Sequence, residues 1–83
     1  MKILKYIITE NKTPVIFSKS ITHNEVLSTG ISAGFLILKL DLNCKKFLVT
    51  CYGESSSLKI KKADDDEFII EKFLNNEFCT LEV

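Results

Sequence analysis

The sequence predicts a small α+β domain: a mainly antiparallel sheet of about four to six strands, one C-terminal amphipathic helix, and a short helix after the first hairpin. Three observations carry that prediction. Residues 35–53 alternate apolar groups on either side of a central turn, so that two strands fit one pairing register. Residues 68–74 repeat apolar side chains at helical spacing behind an acidic start. The 83 residues, 46% of them hydrophobic, suit one core and are too apolar for a disordered chain.

Taken in order, residues 3–9 are apolar-rich with β-branched and aromatic character, and residues 15–18 repeat that character after Asn11-Lys12-Thr13-Pro14. This is a hairpin pattern. A loop of four or five residues is expected to set Ile8 against Val15, Ile7 against Ile16 and Tyr6 against Phe17, leaving apolar groups on both faces. Such a hairpin needs cover on both sides, from its own chain or a second one.

Thr22-His23-Asn24-Glu25 has the spacing of a capping box, in which a hydroxyl and a carboxylate three residues apart satisfy the free N–H groups of a helix start. A short helix over residues 24–28 follows, with Ile21 as a hydrophobic staple and Gly30 closing the helix in a left-handed conformation. Gly30 and Gly34 bracket a tight connection, with room for a bulge, into the long strand.

From Leu36 onward, Leu36, Leu38, Leu40 and Leu42 share one strand face, while Phe35, Ile37, Lys39 and Asp41 share the other. With Asn43-Cys44 as turn residues, Leu40 meets Phe47, Leu38 meets Val49 and Leu36 meets Cys51. The opposite face then pairs Asp41 with Lys46 and Phe35 with Tyr52, so chemistry agrees on both sides. Residues 57–61 form a further short strand. Asp64-Asp65-Asp66-Glu67 places carboxylates at a helix start, where Asp64 or Asp65 can cap. Phe68, Ile69, Ile70, Phe73 and Leu74 then predict a helix over 65–75, ending at Asn75-Asn76, and residues 78–83 are a closing strand or a frayed tail. No linker or repeat divides residues 1–83, which read as a single domain.

Composition narrows the function classes. Eleven basic residues, all lysine, balance eleven acidic ones, whereas a nucleic-acid binder presents a basic surface; nucleic acid is not expected as a partner. The absence of arginine removes the planar fork suited to phosphate and carboxylate. No stretch reaches the length of a membrane span, and the N-terminus lacks a signal peptide's apolar centre, so a cytoplasmic chain without membrane contact is expected. Cys44, Cys51 and Cys79 are odd in number and without CxxC spacing, which fits free thiols and no metal or other cofactor. Cys51 falls on the apolar strand face and Cys44 in the exposed turn. A lysine-, isoleucine- and asparagine-rich chain without arginine or glutamine fits an AT-rich gene, as in many bacteria and phages.

Two stretches hold candidate site residues. In the first, the capping box accounts for Thr22 and Glu25, leaving Ser18, Lys19 and His23 as residues whose identity the cap does not explain. In the second, Tyr52, Glu54, Ser55 and Ser56 follow the best strand, where hydroxyls and backbone N–H groups can hold a small polar or anionic ligand. Neither GxSxG nor GxxxxGK occurs, so no nucleophile elbow or phosphate loop is indicated. The charge reversal from Lys59, Lys61 and Lys62 to Asp64–Glu67 reads as a solvated face.

The leading expectation is a non-enzymatic interaction protein that contacts its own copy, as a homodimer or higher, or another protein. Composition permits an accessory or inhibitor protein of a phage or mobile element. A binder of a nucleotide-like metabolite is the alternative, and a small hydrolase using His23 is third.

Overall fold

The computed structural model describes residues 2–43 and 46–78. Along them run β1 (Lys2–Ile8), β2 (Pro14–Ser18), α1 (His23–Val26), β3 (Ser32–Asp41), β4 (Lys46–Tyr52), β5 (Glu54–Ser55), β6 (Ile60–Lys61) and α2 (Asp66–Phe78). The first four strands form one antiparallel sheet in the order β2-β1-β3-β4, and β5 and β6 form a separate two-stranded ribbon. The α+β class, the antiparallel sheet, the C-terminal helix and the short helix after the first hairpin are therefore as the sequence predicts. Residues 79–83, where a closing strand or tail was expected, lie outside the described residues, as does Cys44.

The β3–β4 register is the predicted one on both faces: Leu36 faces Cys51, Leu38 faces Val49, Leu40 faces Phe47, Phe35 faces Tyr52 and Asp41 faces Lys46. The first hairpin is shifted by one residue. Ile7 faces Val15, Tyr6 faces Ile16 and Lys5 faces Phe17. The cause is a three-residue loop: the Thr9 N–H donates to the Thr13 carbonyl at 3.0 Å, the Lys12 N–H donates to the Thr9 carbonyl at 2.8 Å, and Lys12 takes a φ of 62°. That is a turn followed by one left-handed residue, a combination usually marked by glycine. Lysine hides the signal.

Between the first hairpin and β3 the expectations shift in detail. The helix α1 starts at His23 and closes when the Leu27 N–H donates to the His23 carbonyl at 3.1 Å, with Leu27 already extended at φ −143°. Gly30 is not the left-handed closing residue. It is required by space instead, because a Cβ there would stand 2.6 Å from Ile7 Cγ2. The strand β3 begins three residues before Phe35 and runs through Gly34 without a bulge, pairing Ser32 with Ile8 and Gly34 with Tyr6. A Cβ at Gly34 would lie 2.8 Å from the Tyr52 carbonyl oxygen, so a bare backbone lets the end of β4 close over β3.

The helix α2 has three faces. Ile70 and Leu74, with Ile69 and Phe73 beside them, cover the sheet face made by Tyr6, Ile8, Leu36, Val49 and Cys51. Full burial of side chains such as Leu36 and Ile70 contributes about 1.5–3 kcal/mol each. At the start of the helix, the acidic run is not uniformly solvated. Asp64 and Asp65 are exposed, but Asp66 is fully buried: it accepts the Tyr6 hydroxyl at 2.5 Å, the Ser32 hydroxyl at 2.7 Å and the Ala63 N–H at 2.9 Å. The third face meets the open edge of β4. There Glu67 accepts the Cys51 N–H at 2.7 Å, Glu71 the Val49 N–H at 2.7 Å and Asn75 the Phe47 N–H at 2.9 Å.

Two core groups make the fold sensitive to alkali. Burial pushes the Cys51 thiol up to about 12, the Glu67 and Asp66 carboxylates adding to the rise and the Tyr6 hydrogen bond opposing it. Burial, reinforced by the hydrogen bond to Asp66, raises Tyr6 above the ordinary phenol range. In the unfolded chain these groups ionise near about 8.5 and 10, so above those values it binds fewer protons than the folded one and stability falls as pH rises. The melting temperature should hold steady between neutrality and about pH 8 and drop from about pH 9 upward. In Cys51→Ala the decline should start about one unit later, when Tyr6 alone remains; an unchanged onset would remove Cys51 as its cause.

Candidate functional site

The sheet face opposite α2 carries the residues that neither core nor cap accounts for. One cross-strand row runs through all four strands as Phe17, Lys5, Phe35 and Tyr52. The Phe35 and Tyr52 rings stack at 5.6 Å, and the Lys5 ammonium stands 5.6 Å from the centre of the Phe35 ring while donating to the Ile21 carbonyl at 2.9 Å. Placing an ammonium over an aromatic face is favourable because the ring quadrupole is negative there.

Helix α1 covers the β2 side of this face through His23. Its ring is buried, edge-on to Phe17 at 5.4 Å and to Phe35 at 6.0 Å, and its Nε2 lies 2.9 Å from the Gly34 carbonyl oxygen. A carbonyl only accepts, so Nε2 carries the hydrogen. Held this way, the imidazole is a lid with one polar tie. The lid is fixed at both ends. The Glu25 carboxylate accepts the Thr22 N–H at 3.0 Å and the Thr22 hydroxyl at 2.6 Å, and the Asn24 N–H donates to the Ser57 hydroxyl at 3.2 Å across to the β5–β6 turn. The Thr22 hydroxyl, followed by the Thr22 N–H, holds Glu25 below the ordinary carboxylate range.

The β4 side of the same face has no such cover among the described residues. Ile3, Ile37 and Thr50 form the next cross-strand row, and Leu48 pairs with Lys39 in the row beyond. Ile3 is 36% exposed, Leu48 43% and Tyr52 41%. These residues belong to three adjacent strands, so the exposed apolar groups form one continuous patch.

The two stretches singled out in the sequence meet in space where the Asn24 N–H donates to Ser57, and Phe35 stands between His23 and Tyr52, but their side chains do not converge on one pocket. Ser55 is buried with its hydroxyl accepting the Leu58 N–H at 3.1 Å, so it shapes its own turn. Glu54 and Ser56 are exposed on that ribbon. Tyr52 sits in the aromatic row. Ser18 accepts the Ser20 N–H at 3.2 Å, and with Lys19, Lys2, Ile3 and Leu4 it lines a surface cavity of about 520 Å³ where β1 begins beside the end of β2. Among the described residues, no group of three or more His, Cys, Asp or Glu side chains stands where it could hold a metal ion, and no helix is long and apolar enough to cross a membrane.

No family model, curated protein or solved structure matches the chain. A functional reading therefore stands on geometry alone. Of the residues in the exposed patch, Leu48, Thr50 and Ile37 were within reach of sequence reasoning, because the β3–β4 register already sets Ile37 opposite Thr50 and Lys39 opposite Leu48. Ile3 was not, since its place depends on β1 pairing with β3.

Proposed function

We propose that the protein is a non-enzymatic interaction module that associates with its own copy through the uncovered half of the outer sheet face. The observation that carries this reading is the patch of Ile3, Leu48 and Tyr52 around Ile37 and Thr50, left bare beside a half that α1 covers. Contiguous exposed apolar surface rimmed by polar residues is a mark of interaction sites, protein contacts among them. One feature favours a second copy as the occupant: the chain has no net charge, so copies do not repel. Packing of two twisted sheets face to face is the geometry that such an interface uses.

Sedimentation velocity over a wide concentration range tests the reading. Association should appear as the protein is concentrated, and Leu48→Lys, at an exposed position, should shift the equilibrium toward monomer by tenfold or more while the melting temperature changes by no more than about 2 °C. A wild-type protein that stays strictly monomeric at high concentration would overturn it.

A further inference from the structure

The two edges of the main sheet are treated differently, and the difference points to a second contact surface. At β4 the outward N–H groups of Cys51, Val49 and Phe47 are taken by Glu67, Glu71 and Asn75, so no strand can add there. At the other edge, β2 pairs only with β1 among the described residues. The Thr9–Thr13 hydrogen bond fixes the alternation of the hairpin ladder: Val15 and Phe17 point their backbone groups at β1, while the Ile16 N–H and the carbonyls of Pro14 and Ile16 point outward. Directly beneath this edge lies a groove of about 400 Å³ between β2 and α2, with Pro14, Phe68, Ile69 and Phe73 as its apolar walls and Lys12, Lys72 and Asp65 at its rim. Phe68, about 200° around the helix from the buried Ile70, is 68% exposed.

We infer that this edge and groove together receive an extended segment of a partner protein, apolar at alternate positions and acidic at its flank. An added strand forms a pair of hydrogen bonds with Ile16, the outward backbone groups supplying affinity without sequence preference. Its residues opposite Pro14 and Ile16 share their sheet face, which is the face covered by α2, so those side chains enter the groove against Phe68, Ile69 and Phe73. The rim sets the charge: two lysines against one carboxylate favour a segment bearing Asp or Glu beside its apolar positions. Pro14, with no N–H to offer, limits the pairing to the stretch from Pro14 to Ser18, so a segment of about five residues fills the site. This contact involves neither the face nor the residues of the self-association.

Fluorescence anisotropy with labelled synthetic peptides of about eight residues, valine alternating with threonine, tests this inference. One peptide ends in two glutamates, one in two lysines, and one carries a central proline. The glutamate peptide should bind saturably, and the lysine and proline versions at least about tenfold more weakly. Phe68→Asp should weaken the glutamate peptide by about tenfold or more with the melting temperature retained, Lys72→Glu should weaken it while improving the lysine peptide, and Leu48→Lys should leave it unchanged. Equal affinity for all three peptides, binding indifferent to Phe68→Asp, or no binding at millimolar protein would overturn the inference. So would dissociation of a wild-type oligomer by Phe68→Asp, which would make the occupant a second copy.

Discussion

Replacing Asp66 by alanine is expected to leave the protein largely unfolded at room temperature. Three donors converge on this buried carboxylate from three separate parts of the chain: the Tyr6 hydroxyl of β1, the Ser32 hydroxyl of β3 and the Ala63 N–H ahead of α2. Alanine removes the acceptor and leaves the donors in place. Each buried donor without a partner costs about 1–3 kcal/mol, so the sum approaches the whole stability of a domain this size, about 0.05–0.15 kcal/mol per residue. Asp66→Asn should be milder but still destabilising, because the amide keeps one acceptor oxygen, loses the charge, and can place its NH2 only by turning the Ser32 or Tyr6 hydroxyl round to accept. Tyr6→Phe takes away a donor rather than the acceptor, so the carboxylate keeps Ser32 and Ala63 and the loss should stay near about 1–2 kcal/mol. Urea unfolding followed by circular dichroism ranks the three variants. An Asp66→Ala protein whose midpoint lies close to that of Tyr6→Phe would mean that the network contributes little beyond one ordinary hydrogen bond.

The same network shows where the sequence stops being readable. In Asp64-Asp65-Asp66-Glu67 the four side chains look alike, and only the rotation of α2 on the sheet decides that Asp66 is buried while Asp64 and Asp65 face water. Its partners Tyr6 and Ser32 lie 60 and 34 residues away, at distances no local pattern spans. The β3–β4 hairpin is the opposite case. There an apolar face and a charged pair had to agree at once, and a shift of one residue would have set one leucine against Lys46 and another against Thr50, so the register was legible from the residues alone. The β1–β2 hairpin offers no such contrast, because Tyr6, Ile7, Ile8, Val15, Ile16 and Phe17 are apolar whichever way they face. Its register was decided by Lys12 in a left-handed conformation, a choice that residue type conceals. The candidate stretch around His23 was half legible. Spacing revealed that Thr22 and Glu25 serve a helix start, whereas the placement of the imidazole between Phe17 and Phe35 depends on β1, β2 and β3 being side by side.

Removing the two carboxylates that guard β4, as Glu67→Ala with Glu71→Ala, is expected both to destabilise the fold and to make it aggregate. Four residues of helix advance about 6.0 Å and two residues of strand about 6.6 Å, so positions 67, 71 and 75 keep step with the N–H groups of residues 51, 49 and 47. Each carboxylate-to-backbone bond is charge-assisted and contributes about 1.5–3 kcal/mol net, so the double variant should lose on the order of 3–6 kcal/mol. The second consequence is kinetic and depends on concentration. With two outward N–H groups released, β4 becomes an open edge lined by Phe47, Val49 and Cys51, a template on which another chain can pair. Glu67→Gln with Glu71→Gln separates the two effects, since an amide oxygen still accepts the N–H and continues to block the edge while losing the charge. Light scattering at a temperature well below unfolding should therefore rise with concentration for the alanine pair and stay near the wild-type trace for the glutamine pair. If both pairs scatter alike, lost charge rather than an opened edge is responsible; if neither differs from wild type, these side chains contribute stability alone and the edge is protected by other means.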